Sequence, residues 1–373
     1  MQTWDRAEKI SDSQRAVPHP LLSTTLGTLL ECFRQYNWPD RHFRRRSLNL
    51  LAVAALRTPL HHLERWRVRK RVEEHDLAGP PIFIIGHWRS GTTHLHQLFS
   101  QDPHFGFVTL MQAAFPLDFL TSVGAPLVTA LLPPTRLVDQ MPISIDSPWE
   151  EEMAMACFGP LSFFHAFFFP HEARRIYRSA VHFDDVAPER VAKWWNDYLY
   201  FLKKVQCAQS GRRLVIKNPA NSARVAALRE RFPGAKFIHI HRHPEEVYAS
   251  TMLLHREARK AWALQNGDGA TLRDTVLANY ADLMSACFAQ TKELSGNELI
   301  EIRMSDLETQ PLATLGSIYR QLELPAFDTA RAHFTSYLDK LGVFPKNRLS
   351  LEPGEREAVR AKLRHVFERW HYE

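Results

Sequence analysis

The chain contains few cysteines and no long uninterrupted apolar run. Only four of its 373 residues are cysteine, and no two of them stand in a CxxC pair. This spacing is not that of a zinc site or a disulfide framework, so reduced and mostly buried thiols in the cytoplasm are expected. The first fifteen residues are polar and charged, unlike a secretory signal peptide. The four cysteines are Cys32, Cys157, Cys207 and Cys287.

Residues 113–132 are apolar enough to raise the question of a membrane span. Asp118, Gly124 and two prolines interrupt the stretch, whereas a spanning helix needs about 20 consecutive apolar residues. The stretch is therefore predicted to form core or a helical flap, and not a span.

Neither sign of charge is in large excess. The 47 Lys and Arg residues outnumber the 41 Asp and Glu residues, which gives a net charge of +6. A mild basic excess suits an anionic ligand or a membrane surface. No basic patch with interleaved aromatic residues is present, so nucleic acid is not expected as a partner.

The most informative stretch runs from Pro81 to Ser100. Its apolar residues Ile82 to Ile85 predict a buried parallel strand. The loop Gly-His-Trp-Arg-Ser-Gly-Thr-Thr and a helical pattern follow. A strand, a glycine-containing loop and a helix together bind phosphate, because backbone N–H groups and the helix N-terminus face the anion.

This loop differs from the P-loop of NTPases in the position of its charge. The glycines at 86 and 91 have the P-loop spacing, but Thr92 stands where the lysine belongs. The cation is Arg89, inside the loop. A kinase without the P-loop lysine lacks a main contact to the β- and γ-phosphates. A P-loop kinase therefore remains only as an alternative.

A second strand and helix carry a matching pair of residues. Lys236 to Ile240 predict a strand, residues 245–255 predict a helix, and Arg242 lies between them. Ser250 follows Arg242 by eight positions. An arginine at the end of a parallel strand and a serine two turns into the next helix can meet at one anion.

The two patterns resemble the donor-binding loops of bacterial sulfotransferases that use 3′-phosphoadenosine 5′-phosphosulfate (PAPS). Residues 214–224, 279–280 and 301–308 resemble the same branch, as does the Ser-Pro-Trp-Glu-Glu-Glu run at 147–152. The resemblance implies an α/β fold, with a P-loop-like parallel sheet flanked by helices on both faces. It covers a domain of residues 81–373, behind a helical N-terminal extension of residues 1–80.

The resemblance also implies roles for individual residues. Arg89 would lie at the bridging oxygen of the donor, where negative charge builds in the transition state. Arg242 and Ser250 would hold the 3′-phosphate, and 3′-phosphoadenosine 5′-phosphate (PAP) would leave without help from a metal. The residues implied to bind the 5′-phosphate are Ser90, Gly91, Thr92 and Thr93.

The catalytic base is the least determined role. The family uses a histidine or a glutamate, and Glu152 is favoured here, with Glu150 second, because bacterial relatives resemble this chain at both positions. Glu150 also stands three residues after Ser147, the spacing of a helix capping box without any catalytic duty. His165 and His87 remain open as alternatives.

Further expectations concern the rest of the site. Lys217 ends a predicted strand, where it either holds donor oxygens or forms a structural ion pair. The patterns also predict a loop over 335–350 and one helix over 353–369. Residues that either contact the nucleotide or have only a packing or surface role are Trp88, His94, Lys346, Asn347 and Arg348.

The acceptor is expected to be a hydrophobic or lipid alcohol, because residues 103–145 and 161–170 are apolar. Helices are predicted at 21–36, 41–56 and 60–75, the last two rich in arginine. They indicate a solvated appendage or homodimer contact, or else a basic face that lies on anionic lipid at the inner membrane. A non-catalytic nucleotide-binding protein remains an alternative to the enzyme.

Overall fold

Five parallel strands form the centre of the part of the chain that the structure describes. The computed structural model describes residues 18–121, 135, 138, 142–341 and 349–373. The strands lie in the order β2-β3-β1-β4-β5, so the first strand is in the middle of the sheet. They are β1 (Ile82–Ile85), β2 (Phe105–Phe107), β3 (Arg213–Lys217), β4 (Lys236–His241) and β5 (Leu299–Arg303).

The register of the sheet brings the ends of β1, β3 and β4 together. Ile84 of β1 pairs with Lys217 of β3 on one side and with Ile238 of β4 on the other. All four residues of β1 are buried, as expected for a central strand covered on both faces. The loops after these strands start side by side, at the carboxyl edge where α/β folds bind ligands.

Helices connect the strands and cover both faces of the sheet. Phe83 and Ile85 of β1 point into one hydrophobic cluster, and Ile82 and Ile84 point into a second cluster on the other face. The helices are α1 (Leu26–Gln35), α2 (Arg44–Glu73), α3 (Thr92–Phe99), α4 (Leu110–Ala114), α5 (Glu151–Phe158), α6 (His165–Phe168), α7 (Ala173–Tyr177), α8 (Pro188–Ala208), α9 (Val225–Arg231), α10 (Pro244–Trp262), α11 (Gly269–Thr291), α12 (Met304–Thr309), α13 (Pro311–Gln321), α14 (Phe327–Leu341), α15 (Pro353–Lys362) and α16 (Arg364–Trp370).

The N-terminal helices share the larger of these clusters with the sheet. Leu29 and Phe33 of α1 and Leu50 and Ala54 of α2 belong to the same buried set as Phe83 of β1. The two helices are therefore packed on the domain by apolar contacts. The domain boundary at residue 80 stays a prediction.

The predicted division of the second N-terminal segment into two helices is wrong. One helix, α2, continues through Pro59, although proline lacks an N–H group and disfavours a helix interior. Ala54 and His61, on either side of Pro59, are both buried. Tertiary packing of this face holds the helix together across the proline, since such packing supplies most helix stability in proteins.

The helix expected to start at Ser147 begins later. Glu150 occupies the N-cap position of α5 and makes no side-chain capping bond. The preceding segment is extended, because the Trp149 N–H donates to the Val108 carbonyl at 2.7 Å. The predicted capping box is therefore wrong. The Glu150 carboxylate instead contacts a residue of the candidate active site, Lys217.

Two further expectations differ from the structure. The loop predicted over 335–350 is helical as far as Leu341, and residues 342–348 lie outside the described residues. The predicted terminal helix is divided into α15 and α16 at Leu363, whose side chain is buried in the core. Strand β2 was not predicted, because three residues give too short an apolar pattern.

Candidate active site

The loop between β1 and α3 has the geometry of an anion-binding loop. Gly86 and Gly91 adopt φ angles of +140° and +109°, which favour glycine. A Cβ atom on Gly86 would collide with the Ile240 carbonyl oxygen, and one on Gly91 would collide with the Met304 sulfur. Both positions require glycine, because β4 and α12 pack directly against the loop.

Arg89 lies at the turn of this loop in a strained conformation. Its φ angle is +72°, a left-handed value that is uncommon for residues with a side chain and that clusters at functional sites. Its Nε donates a hydrogen bond to Ser250 Oγ at 2.9 Å. Because Ser250 lies on α10, this bond joins the loop before α3 to the helix after β4, the two units that were predicted to bind one donor.

The remaining loop residues line the start of α3. Ser90 is buried, and its Oγ has no hydrogen-bond partner among the described residues. A buried hydroxyl without a partner is uncommon and indicates a place for a ligand or water. Gly91 follows as the N-cap of α3, and Thr92 and Thr93 are the first two residues of that helix. The loop therefore presents hydroxyls and backbone N–H groups at one helix N-terminus.

Arg242 follows β4 as predicted, one strand away from the loop. Its guanidinium forms an ion pair with Glu246 in the first turn of α10. Ser250, eight positions after Arg242, contacts Arg89. The shared anion expected for Arg242 and Ser250 stays a prediction.

The end of β3 places a second cation beside the loop. Lys217 is buried and forms an ion pair with Glu150. The same ammonium group donates to Thr93 Oγ1 at 3.4 Å. The Lys217 side chain therefore links the Glu150 carboxylate to the anion-binding loop between β1 and α3.

Glu152 has a different environment from Glu150. Its carboxylate is buried, pairs with Arg224 at 3.0 Å and accepts a hydrogen bond from the Phe163 N–H at 2.8 Å. Burial acts to raise the pKa of Glu152, but the Arg224 charge and the hydrogen bonds hold that pKa below its ordinary value. This carboxylate anchors α5 inside the core.

Glu151 lies between these two glutamates and is fully buried. Burial raises the pKa of its carboxyl group to about 7. Its Oε1 accepts hydrogen bonds from Tyr198 at 3.0 Å, Asn218 at 3.1 Å and Asn221 at 3.0 Å. The carboxyl group therefore fastens α5 to α8 and to the segment that follows β3.

The segment after β3 also holds the candidate donor loop in place, and no role was predicted for its residues. Ser222 Oγ accepts from the Gly86 N–H at 2.8 Å and donates to the Gly86 carbonyl at 3.2 Å. Asn218 Nδ2 bridges Glu151 and Glu152. Their role could have been predicted from a run of polar residues at the carboxyl end of a buried strand, because ligand sites form at that position in α/β folds.

The two histidines left open as bases are both buried. His87 stacks on Tyr280 with ring centroids 3.8 Å apart, and burial lowers its pKa to about 3. His165 contacts the Pro160 carbonyl through Nδ1 at 2.9 Å, and burial lowers its pKa to about 4. An acceptor hydroxyl could reach neither ring without displacing core side chains.

The aromatic residues 161–170 form core and not an open acceptor surface. Phe163 and Phe167 are buried, and Trp88 packs against Phe163 in a tilted arrangement with ring centroids 4.3 Å apart. Of the two roles predicted for Trp88, contact with the nucleotide or packing, the structure shows packing. Residues 122–134 of the other expected acceptor region, and Lys346, Asn347 and Arg348, lie outside the described residues.

Comparison with known proteins agrees with this geometry. A family model described as "Sulfotransferase family" matches residues 80–329, which include both candidate donor loops. The chain belongs to the sulfotransferase family. The family resemblance read from the sequence is confirmed, and the protein is a transferase enzyme.

This sulfotransferase is similar in sequence to two named sulfotransferases. It is 32% identical over 305 residues to "Omega-hydroxy-beta-dihydromenaquinone-9 sulfotransferase Stf3" of Mycobacterium bovis (strain ATCC BAA-935 / AF2122/97). The alignment covers 82% of this chain and 78% of the relative. The protein of the same name from Mycobacterium tuberculosis (strain CDC 1551 / Oshkosh) matches with the same values.

Solved sulfotransferases share the fold. STF9 from Mycobacterium avium superposes with a TM-score of 0.69 at 16% identity, over 94% of this chain and 97% of that one. STF1 from Mycobacterium tuberculosis H37Rv gives a TM-score of 0.63 at 19% identity, over 90% of each chain. The predicted α/β fold with its P-loop-like parallel sheet is confirmed.

Other features of the described residues bear on the remaining expectations. No group of three or more His, Cys, Asp or Glu side chains there is arranged to hold a metal ion, and a metal-free reaction stays a prediction. In the same part of the chain, every helix is too short or too polar to cross a membrane. The four cysteines are unpaired, and three of them are buried.

Proposed function

We propose that this sulfotransferase moves the sulfuryl group of PAPS to an acceptor hydroxyl and releases PAP. The observation that carries the proposal is the hydrogen bond between Arg89 and Ser250. It connects the loop proposed for the 5′-phosphosulfate with the helix proposed for the 3′-phosphate. A nucleotide with phosphates at both positions would contact both units.

The residues at this sheet edge suit such a donor. The buried Ser90 hydroxyl and the N–H groups at the start of α3, with Gly91, Thr92 and Thr93, would hold the 5′-phosphate. Arg242 would exchange the Glu246 carboxylate for the 3′-phosphate, since arginine binds phosphate in a bidentate manner.

Glu150 is a better candidate for the base than Glu152, which the sequence favoured. Lys217 holds Glu150 beside the donor loop, and the Glu150 side chain is 17% exposed. Glu152 is 1% exposed and paired with Arg224. A general base must reach the acceptor proton directly or through one water, and a carboxylate enclosed in the core cannot do so.

In the proposed step, Glu150 accepts the proton of the acceptor hydroxyl while the acceptor oxygen bonds to sulfur. The bond between sulfur and the phosphate oxygen breaks, and its electron pair leaves with PAP. Arg89 stabilises the negative charge that develops on that oxygen, and Lys217 stabilises charge on the sulfuryl oxygens. Arginine keeps its proton, so the part played by Arg89 is electrostatic.

We infer that the acceptor is a hydrophobic or lipid alcohol. The support is the 32% identity to a relative named as an omega-hydroxy-beta-dihydromenaquinone-9 sulfotransferase. Residues 161–170 no longer support this inference, because they are core. A cytoplasmic location at the inner membrane face and lipid contact through the N-terminal helices are carried forward as parts of the proposal, and a homodimer contact through these helices is the alternative to lipid contact.

Transfer of radiolabelled sulfate from PAPS to a panel of alcohols tests the proposal. The panel contains a long-chain ω-hydroxy isoprenoid, a sterol and a soluble glycan, in buffer with a metal chelator. We expect label on the hydrophobic alcohols and an equal amount of PAP. Label on the glycan alone would contradict the acceptor class. In a separate reaction without chelator, phosphate transfer from Mg-ATP to these alcohols would contradict the donor.

A further inference from the structure

Large exposed apolar side chains are concentrated on one helix. Leu48, Leu56, Leu60, Leu63 and Trp66 all lie on α2, and their exposed fractions run from 41% to 79%. Single exposed apolar residues are normal on protein surfaces, but a contiguous set marks an interaction site. Elsewhere in the described residues the exposed large apolar side chains are Trp38, Leu199 and Leu349.

These side chains share one face of α2. At about 100° per residue, their positions fall within about 120° of the helix circumference. Ala52 and Pro59 are exposed on the same face. The face is about 27 Å long from its first residue to its last. We name it the α2 stripe, which consists of Leu48, Ala52, Leu56, Pro59, Leu60, Leu63 and Trp66.

The opposite face of α2 is fixed to the body of the enzyme. Leu50 and His61 are buried there, and the buried Glu64 pairs with Lys204 of α8. Glu64 also accepts hydrogen bonds from the N–H and hydroxyl of Thr121 at 2.7 and 2.6 Å. Since a buried ion pair is difficult to break, α2 cannot turn to cover its stripe.

The charge of α2 indicates what covers the stripe. The helix has nine Lys and Arg residues and two Glu residues, and seven of the nine cations are exposed. Arg45 precedes the stripe, and Arg67 and Lys70 follow it on the same face. Lys70 contacts Glu74 at 3.9 Å, an exposed pair that holds its charge only weakly.

We propose that the α2 stripe and its flanking cations dock the enzyme on an anionic lipid bilayer. Leucine and tryptophan side chains would enter the boundary between headgroups and acyl chains, and the cations would remain at the level of the lipid phosphates. A second copy of the chain fits less well, because two basic helices would face each other with like charge. This proposal specifies the membrane contact that the proposed function includes. It rests on that function, because docking on a bilayer would serve to deliver a lipid alcohol to the enzyme.

Sedimentation of the full chain with lipid vesicles tests the docking surface. We expect binding to phosphatidylcholine vesicles that contain phosphatidylglycerol, and much weaker binding without it. The double variant Leu56→Glu, Trp66→Glu should bind at least tenfold more weakly, because it removes apolar contacts and adds two repelled charges. Arg67→Gln and Lys70→Gln should each weaken binding about fivefold. The matched control is Leu199→Glu, an exposed leucine of α8 outside the stripe, which should bind as the wild type does.

The outcomes separate docking from the donor proposal when PAP binding is measured on the same variants. Loss of vesicle binding with unchanged PAP affinity supports the docking surface. A wild type that ignores anionic vesicles, or stripe variants that bind them normally, would overturn it. A dimer by light scattering that the stripe variants dissociate would also overturn it, in favour of a second copy. An enzyme that docks but does not bind PAP supports docking and contradicts the donor.

Discussion

Replacing Glu150 with glutamine should remove the catalytic base and leave the fold in place. Glutamine keeps an oxygen for the Lys217 ammonium group but cannot accept the acceptor proton. A positioned general base contributes about 10²–10⁴-fold, so kcat should fall about a thousandfold. Lys217 loses the charge of its partner but keeps an oxygen acceptor, and the Glu150 side chain is 17% exposed. The free energy of unfolding should therefore fall by about 1.5–3 kcal/mol, less than for a fully enclosed ion pair.

Glu152→Gln is the matched comparison on the same helix. It leaves the buried Arg224 guanidinium without its anionic partner. Breaking a buried ion pair in this way costs about 3–5 kcal/mol. The carboxylate of Glu150 remains, so the turnover of the folded fraction should fall much less than in Glu150→Gln.

Single-turnover transfer from PAPS, with urea unfolding of the same preparations, measures both effects. We expect Glu150→Gln to be stable and slow, and Glu152→Gln to be unstable and comparatively active. A fully folded Glu152→Gln with no turnover, beside a Glu150→Gln with wild-type turnover, would refute the reasoning and return the role of base to Glu152.

Three other changes give distinct results. Arg89→Ala should lower kcat by about two to three decades, the scale for one preorganised electrostatic donor, with PAP affinity largely kept; unchanged turnover would remove Arg89 from the mechanism. Arg242→Ala should weaken PAP binding by about 2–4 kcal/mol in calorimetry, and an unchanged affinity would place the 3′-phosphate elsewhere. Glu151 has a pKa of about 7 in the folded state, above its ordinary value of 4.5. The folded state therefore binds the proton more tightly than the unfolded state, and the free energy of unfolding of the wild type falls as pH rises from 4.5 to about 7. Glu151→Gln should therefore gain up to about 3 kcal/mol over the wild type at pH 8 and little at pH 5 in urea unfolding; parallel pH profiles would contradict this.

Local patterns predicted the strands, glycines and helices of the two candidate donor loops. Three patterns carried the prediction, each within a short stretch of sequence. They are the apolar run of β1, the spacing of Gly86 and Gly91, and the strand before Arg242. The structure adds that Gly86 and Gly91 have no room for a side chain. The parallel sheet follows from the same alternation of strands and helices.

Contacts between distant residues could not be predicted in this way. Glu150 lies 67 positions before Lys217, and only the fold shows that they pair. Locally, Glu150 had the spacing of a capping residue, and the extended backbone at Trp149 overrides that preference. Likewise, two helices were predicted at 41–56 and 60–75, but buried packing on both sides of Pro59 keeps α2 continuous.

A calorimetric titration with PAP, and in parallel with AMP and with Mg-ATP, tests the donor assignment most directly. PAP and AMP differ by the 3′-phosphate that Arg242 and Ser250 are proposed to hold. We predict that PAP binds at least about thirtyfold more tightly than AMP, which corresponds to about 2 kcal/mol, and more tightly than Mg-ATP. Equal affinity for PAP and AMP, or a preference for Mg-ATP, would contradict a PAPS-dependent sulfotransferase.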